Sequence, residues 1–127
     1  MTVALENHGG LTATAAQIDR LLDLVDEPNI GVNYDPANFL MYGADPLQAL
    51  QELRHPVIFT HLKSLKRVQG KKVYCRVKEG EIDYAPILAE LRRRNYAGFW
   101  GLEYEETADV LAGSEDDLNA LRPLISA

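Results

Sequence analysis

Hydrophobic and polar positions follow two different periods along the chain. Short apolar runs that are typical of strands lie near residues 3–6, 30–35, 57–62 and 99–104. Between these runs, apolar residues recur every three to four positions, which is the spacing of a helix that buries one face. Ile18 and Leu22 belong to the first of these stripes, and Leu118 and Leu121 belong to the last. The pattern predicts strand–helix units in strict alternation, four in all.

Helix-start and turn signals support this order. Asp45-Pro46 places a capping residue directly before a proline, a combination that begins helices well. Asp83 stands in a similar position before the helix that carries Leu88. Ahead of it, apolar and polar residues alternate over residues 73–77, so we expect a small hairpin with a turn at residues 79–81.

Alternating strands and helices indicate parallel strands that are joined by right-handed crossovers. Two folds have this pattern, a doubly wound sheet and a (β/α)8 barrel. A barrel of about 250 residues uses roughly 31 residues per unit, so the 127 residues of this chain correspond to four units. The doubly wound fold needs a glycine-rich phosphate loop after its first strand, and Gly9-Gly10 alone does not provide one. We therefore expect a single α/β domain over residues 1–127 that forms half of a TIM barrel.

Composition narrows the classes of partner. Lys and Arg number 13 and Asp and Glu 19, which gives a net charge of −6. Such a chain lacks the basic surface that phosphate neutralisation requires, so we expect no nucleic-acid partner. The single cysteine, Cys75, excludes an internal disulfide and favours a reducing compartment. Because neither a membrane-length apolar segment nor an export signal is visible, we expect a cytoplasmic protein without a membrane partner.

Each predicted strand ends in a side chain that can bind a metal ion. These residues are Glu6, Asp35, His61 and Glu103. In parallel α/β folds, sites are built at the carboxyl ends of the strands because the connecting loops open there. Acidic residues often end strands for other reasons, but four consecutive instances favour a site. Three carboxylates and one imidazole suit Mn²⁺, Mg²⁺ or Co²⁺ better than a closed structural zinc site.

Five short motifs along the chain resemble those of the sugar phosphate isomerase/epimerase family, which has a xylose-isomerase-like TIM barrel. The motifs are Leu5-Glu6-Asn7-His8-Gly9, Asp35-Pro36-Ala37-Asn38, His61-Leu62-Lys63, Gly80-Glu81-Ile82-Asp83-Tyr84 and Leu102-Glu103-Tyr104-Glu105. The resemblance covers essentially the whole chain and corresponds to the second half of the family's barrel. It implies that the four strand-end residues hold a divalent metal, with Mn²⁺ as the first choice. It also implies that Glu6 and Glu103 are the catalytic proton-transfer pair, and that Asn38 and Arg67 contact the substrate.

Three positions depart from the family's pattern. Asn38 stands where many members have histidine, Ser64 where many have an acidic residue, and Thr12 where the epimerases have a glutamate. These departures leave the four proposed metal ligands intact. They bear on which substrate the protein would bind. The family's first four strands have no counterpart in this chain.

The expected chemistry is proton transfer next to a carbonyl group in a sugar or sugar phosphate. Such a transfer passes through an enediolate, whose negative charge a metal can stabilise as a Lewis acid. One group must remove the proton and another must return one, often on the opposite face. Glu6 and Glu103 belong to the outermost of the four predicted strands, so they could flank a bound sugar.

Three further residues are candidates for substrate contacts. Arg67 belongs to a basic stretch between Lys63 and Lys78 and is the first choice for a phosphate or carboxylate. The rest of that stretch equally suits a solvated loop. Lys63 follows His61 by two residues. His8 follows Glu6 by two residues, so it either reaches the substrate or only contacts its own loop.

Two alternatives to an isomerase or epimerase remain open. One is a non-catalytic truncated remnant of such an enzyme that folds by oligomerising. The weaker one is an endonuclease IV-like phosphodiesterase, which would need more histidine ligands and a basic surface. A four-strand piece of a barrel has two open edges, which invite pairing. We therefore expect a homodimer, or a pairing with a separate chain that forms the N-terminal half of the barrel.

Overall fold

The computed structural model describes residues 1–106 and 108–126. In chain order, its elements are β1 (Val3–Glu6), α1 (Ala15–Val25), β2 (Ile30–Tyr34), α2 (Pro36–Met41), α3 (Pro46–Glu52), β3 (Val57–Leu62), β4 (Ser64–Val68), β5 (Lys71–Cys75), a 3₁₀ turn (Val77–Glu79), α4 (Tyr84–Arg93), β6 (Phe99–Leu102) and α5 (Val110–Ser126). Within this described part of the chain, no helix has both the length and the apolar character needed to cross a membrane.

Strands β1, β2, β3 and β6 form one parallel sheet in that order. Each strand pairs with its neighbour in this order, and the hairpin β4–β5 forms a separate two-stranded sheet. The predicted α/β half-barrel is confirmed. The sheet is open, since β1 and β6 are its two edges in the described residues.

Two strands end earlier than the sequence predicted. Strand β2 stops at Tyr34 because Asp35 caps the short helix α2, where its Oδ1 accepts a hydrogen bond from the Asn38 backbone N–H at 2.9 Å. Helix α2 itself was not predicted. Strand β6 stops at Leu102, which places Glu103 just beyond the paired backbone.

The hairpin is present, but its predicted turn at residues 79–81 is wrong. The chain reverses at Gln69 and Gly70, which have φ angles of 51° and 80°. Glycine adopts this left-handed conformation at little cost, so Gly70 is the turn signal in the sequence. The segment Val77–Glu79 instead forms a 3₁₀ turn, and Cys75 lies buried at the end of β5.

The hydrophobic core lies between the sheet and the helices. Its fully buried members include Ile18 on α1, Leu50 on α3, Leu62 on β3 and Leu91 on α4. The other face of the sheet is open, and there Phe99 is 79% exposed with its ring 6.4 Å from that of Phe59. A complete barrel would cover this face with the remaining strands.

Asp19 joins helix α1 to the chain entering β3. Its carboxylate is buried and accepts hydrogen bonds from the backbone N–H groups of Arg54 at 3.1 Å and His55 at 3.2 Å. Asp23, one turn further along α1, is about half exposed and binds the side chains of the same two residues. The two aspartates therefore form a matched pair of buried and exposed contacts.

We expect Asp19→Ala to lower the free energy of unfolding by about 1–3 kcal/mol, because two partly buried backbone N–H groups lose their hydrogen-bond acceptor. Asp23→Ala should lower the free energy of unfolding less, since the ion pairs of Asp23 are solvated. Urea unfolding of the two variants and the wild type measures both values. Equal losses would show that burial of Asp19 contributes nothing.

Glu90 near the end of α4 gives the protein a pH-dependent contribution to stability. Its carboxylate accepts hydrogen bonds from Arg93 and Arg94, which lower its pKa to about 2. Because the folded-state pKa lies below the unfolded one, this contribution is full above the unfolded pKa and is lost as the pH falls towards 2. The difference in stability between wild type and Glu90→Gln should therefore shrink between pH 5 and pH 3 in urea titrations, and a constant difference would contradict this assignment.

Candidate metal centre

The four strand-end residues predicted as ligands come together at the carboxyl edge of the sheet. One ligand atom from each of Glu6, Asp35, His61 and Glu103 lies within 4.8 Å of the others. His61 Nδ1 is 3.1 Å from Glu6 Oε1 and 3.5 Å from Glu103 Oε2. Asp35 is fully buried, whereas the other three side chains are about one-quarter to one-third exposed. The cluster is therefore closed to solvent at Asp35 and open to solvent at the other three residues.

Asn7 and Asn38 tie the ends of β1 and β2 together. Asn7 Nδ2 donates to the Asp35 carbonyl at 2.7 Å, and Asn7 Oδ1 accepts from the Asp35 N–H at 2.8 Å. Asn38 Nδ2 donates to Glu6 Oε1 at 3.1 Å. The Asn38 side chain is buried and its Nδ2 binds Glu6, whereas the sequence predicted that Asn38 contacts the substrate.

Asn33 lies beside the imidazole of His61. Its Nδ2 is 3.3 Å from Nδ1 and 3.4 Å from Nε2 of that ring. The sequence reasoning missed both Asn7 and Asn33. Strand periodicity could have indicated Asn33, because it lies two residues before Asp35 and therefore on the same side of the strand.

Lys63 is the cation of the cluster. Its side chain is 2% exposed, and its Nζ lies 2.5 Å from Glu103 Oε2, 2.9 Å from Glu105 Oε1 and 3.2 Å from Asp35 Oδ2. Burial alone would lower the pKa of Lys63, but the three carboxylates outweigh it and raise the pKa above the usual range of a lysine. Burial also raises the pKa of Asp35 to about 6, against the opposing effect of Lys63.

The donor set fits a divalent cation. Among the described residues, three oxygen atoms in or beside the cluster are buried without a hydrogen-bond partner, namely Asn33 Oδ1, Asp35 Oδ2 and Asn38 Oδ1. Lys63 Nζ forms an ion pair with Asp35 Oδ2 at 3.2 Å but makes no aligned hydrogen bond to it. A divalent cation among the four ligands would give this buried oxygen a second positively charged partner. Carboxylate oxygens with one imidazole suit Mn²⁺ or Mg²⁺.

The other two predicted substrate contacts, His8 and Arg67, are exposed and contact their own surroundings. His8 is exposed, its backbone N–H donates to Thr12 Oγ1, and its ring centroid is 6.4 Å from that of Tyr42. Arg67 is exposed on the hairpin, where its Nε is 3.5 Å from Glu81 Oε2.

Several basic side chains of the hairpin are bound by acceptors nearby in the structure. Lys66 pairs with Glu79, Arg76 pairs with Asp116, and Lys72 donates to the Leu40 carbonyl. These contacts fit the solvated-loop interpretation of the stretch better than a phosphate site.

Comparison with known proteins gives consistent matches. Residues 1–124 match the xylose isomerase-like TIM barrel family. An inosose dehydratase from Clostridium perfringens is 28% identical over an alignment of 122 positions, which covers 84% of this chain and 41% of that protein. The structure of a xylose isomerase domain protein from Planctomyces limnophilus is similar with a TM-score of 0.81 at 27% identity, over 99% of this chain and 46% of that one.

Two further structures have lower sequence identity to this chain but share its fold. A D-tagatose 3-epimerase-like protein is 18% identical with a TM-score of 0.83, over 99% of this chain and 47% of that one. A xylose isomerase-like TIM barrel protein from Mycobacterium smegmatis was solved in complex with magnesium. It is 20% identical with a TM-score of 0.77, over 99% of this chain and 44% of that one.

The chain spans less than half the length of each of these proteins. Its four-stranded parallel sheet is what half of an eight-stranded barrel contains. Since the family match extends over nearly every residue, the chain belongs to the xylose isomerase-like TIM barrel family.

Proposed function

We propose that this chain carries the metal and proton-transfer site of an enzyme that acts on a sugar or sugar phosphate, as an isomerase or epimerase. The observation that supports it most is the convergence of three carboxylates and one imidazole within 4.8 Å, with a buried Asp35 oxygen left without a donor. We propose Mn²⁺ as the resident ion, with Mg²⁺ as the alternative, because the ligand set is rich in oxygen.

Glu6 and Glu103 are the proposed proton-transfer pair. Glu6 is the last residue of the edge strand β1 and Glu103 follows the edge strand β6, so they stand on opposite sides of His61. Both side chains are partly open to solvent, unlike that of Asp35. A divalent ion bound there would polarise the substrate carbonyl and lower the cost of removing the neighbouring proton. One glutamate then takes the proton from carbon, and the other returns a proton to the adjacent or same carbon.

Dehydration is a second candidate reaction. It is favoured by the curated relative, an inosose dehydratase that is 28% identical to this chain. Elimination begins with the same step, in which a carboxylate removes the proton next to a carbonyl. The electron pair left on carbon then expels the hydroxyl group of the next carbon, which leaves as water after accepting a proton. The two reactions differ only in the fate of the carbanion equivalent.

Deuterium incorporation tests the shared step. Ketoses and a cyclic polyhydroxy ketone are incubated with the protein and Mn²⁺ in D₂O and followed by NMR, with chelator as the control. We expect uptake of deuterium at the carbon beside the carbonyl only when the metal is present. Recovered ketone or its epimer identifies isomerase chemistry, and loss of water identifies a dehydratase. No metal-dependent uptake from any of these substrates would contradict the proposed function.

We further propose that two copies of the 127-residue chain pair through their open edges. Both edge strands carry exposed apolar side chains, Val3 on β1 and Phe99 on β6. A two-fold axis would bring β1 of one copy beside β6 of the other and cover the open face of both sheets. Closed two-fold dimers are the commonest homo-oligomers. A separate chain with four strand–helix units would compete for the same edges.

Phe99→Asp should weaken this dimer at least about tenfold, because it places a charge on the apolar face that pairing would bury. Val68→Asp is the matched control, since Val68 is an exposed apolar residue on the hairpin, away from the open face of the sheet. Sedimentation at micromolar concentration measures both. A compact wild-type monomer, with and without Mn²⁺, would contradict the dimer.

A further inference from the structure

Carboxylates surround the ammonium group of Lys63. A lysine ammonium has three N–H donors and no acceptor. Three carboxylates lie within 3.2 Å of Nζ, and the Tyr74 ring centroid is 5.1 Å away. The Lys63 backbone is fixed as well, because its carbonyl accepts a hydrogen bond from the Tyr84 hydroxyl at 2.5 Å. Nζ therefore donates to Glu103 and Glu105 and forms an ion pair with Asp35, and the side chain is almost closed to solvent.

The three carboxylate ligands are held in different ways. Asp35 accepts from the Asn38 backbone, and Glu6 accepts from the Asn38 side chain. Glu103 directly follows the edge strand β6, where its backbone N–H donates to the Leu62 carbonyl at 3.2 Å, and its carboxylate accepts a hydrogen bond from Lys63. The orientation of the Glu103 carboxylate therefore depends on this lysine.

Charge balance gives Lys63 a reason to remain when metal is bound. Glu6, Asp35 and Glu103 supply three negative charges once ionised, and a divalent ion compensates two of them. The Lys63 ammonium, in contact with two of these three carboxylates, compensates the third. Glu105 is a further carboxylate at the same ammonium, and it is about one-third exposed, so water screens part of its charge. Buried charges are stable only when they are paired in this way.

We propose that Lys63 is a positioning residue of the metal centre. Its ammonium holds the carboxylates of Glu103 and Asp35 in the orientation of metal ligands. Glu105 accepts a further hydrogen bond from the same ammonium. This role replaces the direct substrate contact predicted for Lys63 from the sequence. The inference rests on the proposed metal site.

A double-mutant cycle in Mn²⁺ affinity tests the role of Lys63. Calorimetry compares the wild type, Lys63→Met, Glu103→Ala and the double variant, with folding checked by circular dichroism. Removing an orienting partner of a ligand costs roughly 10–100-fold in metal affinity. Repulsion between the ammonium and the metal acts in both backgrounds and therefore cancels in the cycle.

We expect Lys63→Met to weaken Mn²⁺ binding at least about tenfold more in the wild-type background than in the Glu103→Ala background. The same factor in both backgrounds would overturn the positioning role while leaving the metal site intact. Absence of Mn²⁺ binding by the wild type would instead overturn the proposed function, and the positioning role with it. Lys66→Met is the control, since Lys66 pairs with Glu79 on the hairpin and should leave the affinity unchanged.

A second measurement needs no substitution of Lys63 and so does not depend on the folding of that variant. In protein labelled with ¹⁵N-lysine, a buried and hydrogen-bonded ammonium gives an NMR signal that exchanges slowly with water. We expect such a signal for Lys63, shifted by Mg²⁺ but still present, and altered in Glu103→Ala. A signal that is absent, or that disappears when Mg²⁺ binds, would show that Lys63 does not hold the ligands of the loaded site.

Discussion

Glu6→Gln should lower the rate of deuterium incorporation into the substrate at least about 100-fold, the size of effect expected when a general acid or base is lost. The amide keeps the size of the side chain and its contact with Asn38, but it cannot take a proton from carbon. Glu103→Gln should have the same effect, because the proposed reaction needs a proton removed and a proton returned. The measurement is NMR of the substrate in D₂O with Mn²⁺.

Glu52→Gln is the matched control for these two substitutions. Glu52 is an exposed glutamate at the end of α3, where it accepts a hydrogen bond from Gln48 within the same helix. The control should exchange deuterium at the wild-type rate. If Glu6→Gln and Glu103→Gln also exchanged at that rate, both residues would be removed from the mechanism.

Asp35→Asn should weaken Mn²⁺ binding by about 100-fold, at the upper end of the usual range for a perturbed metal site. Asp35 is the fully buried carboxylate of the cluster, and its Oδ2 is the oxygen without a hydrogen-bond donor. An amide retains the helix cap at the start of α2 but loses the charge that attracts the cation. Calorimetry of the apo proteins measures the change.

Asp45→Asn separates the metal role from the capping role. Asp45 caps α3 before a proline, just as Asp35 caps α2, and its Oδ1 accepts from the Gln48 N–H at 2.7 Å. Asp45 does not belong to the four-residue cluster. We expect Asp45→Asn to bind Mn²⁺ like the wild type. Equal weakening by the two substitutions would mean that the loss comes from the helix caps.

The strands and the four clustered residues could be predicted from the sequence because each follows from a short-range rule. Apolar runs and helical stripes give the order of elements, and parallel strands must present their carboxyl ends at one edge. The convergence of Glu6 and Glu103 then depends only on the closeness of their strands. It needs no knowledge of rotamers or loops.

The features that the sequence did not reveal depend on contacts between distant segments. Asn7 binds the backbone of Asp35 across 28 positions, and Lys63 reaches Glu105 across 42. Periodicity carries no information about which buried polar groups will meet. The hairpin turn at Gly70 was missed for a different reason, since alternation over residues 73–77 marked only one of its two strands.

The open face of the sheet links the fold to the proposed assembly. Phe59 and Phe99 lie on the side that a complete barrel would enclose, and the cluster opens at the carboxyl end of the same sheet. Pairing of two chains would exclude water from that space and strengthen the electrostatic interactions within the site. We therefore expect catalytic exchange and dimerisation to respond together to Phe99→Asp.

Calorimetric titration of Mn²⁺ into the wild-type protein tests the metal centre most directly. We expect about one ion per chain, bound by the oxygen-rich set of Glu6, Asp35, His61 and Glu103. Competition by Mg²⁺ and removal of the signal by chelator would support the same site. A titration with no heat of binding, supported by the absence of bound Mn²⁺ after equilibrium dialysis, would contradict the metal centre and the function built on it.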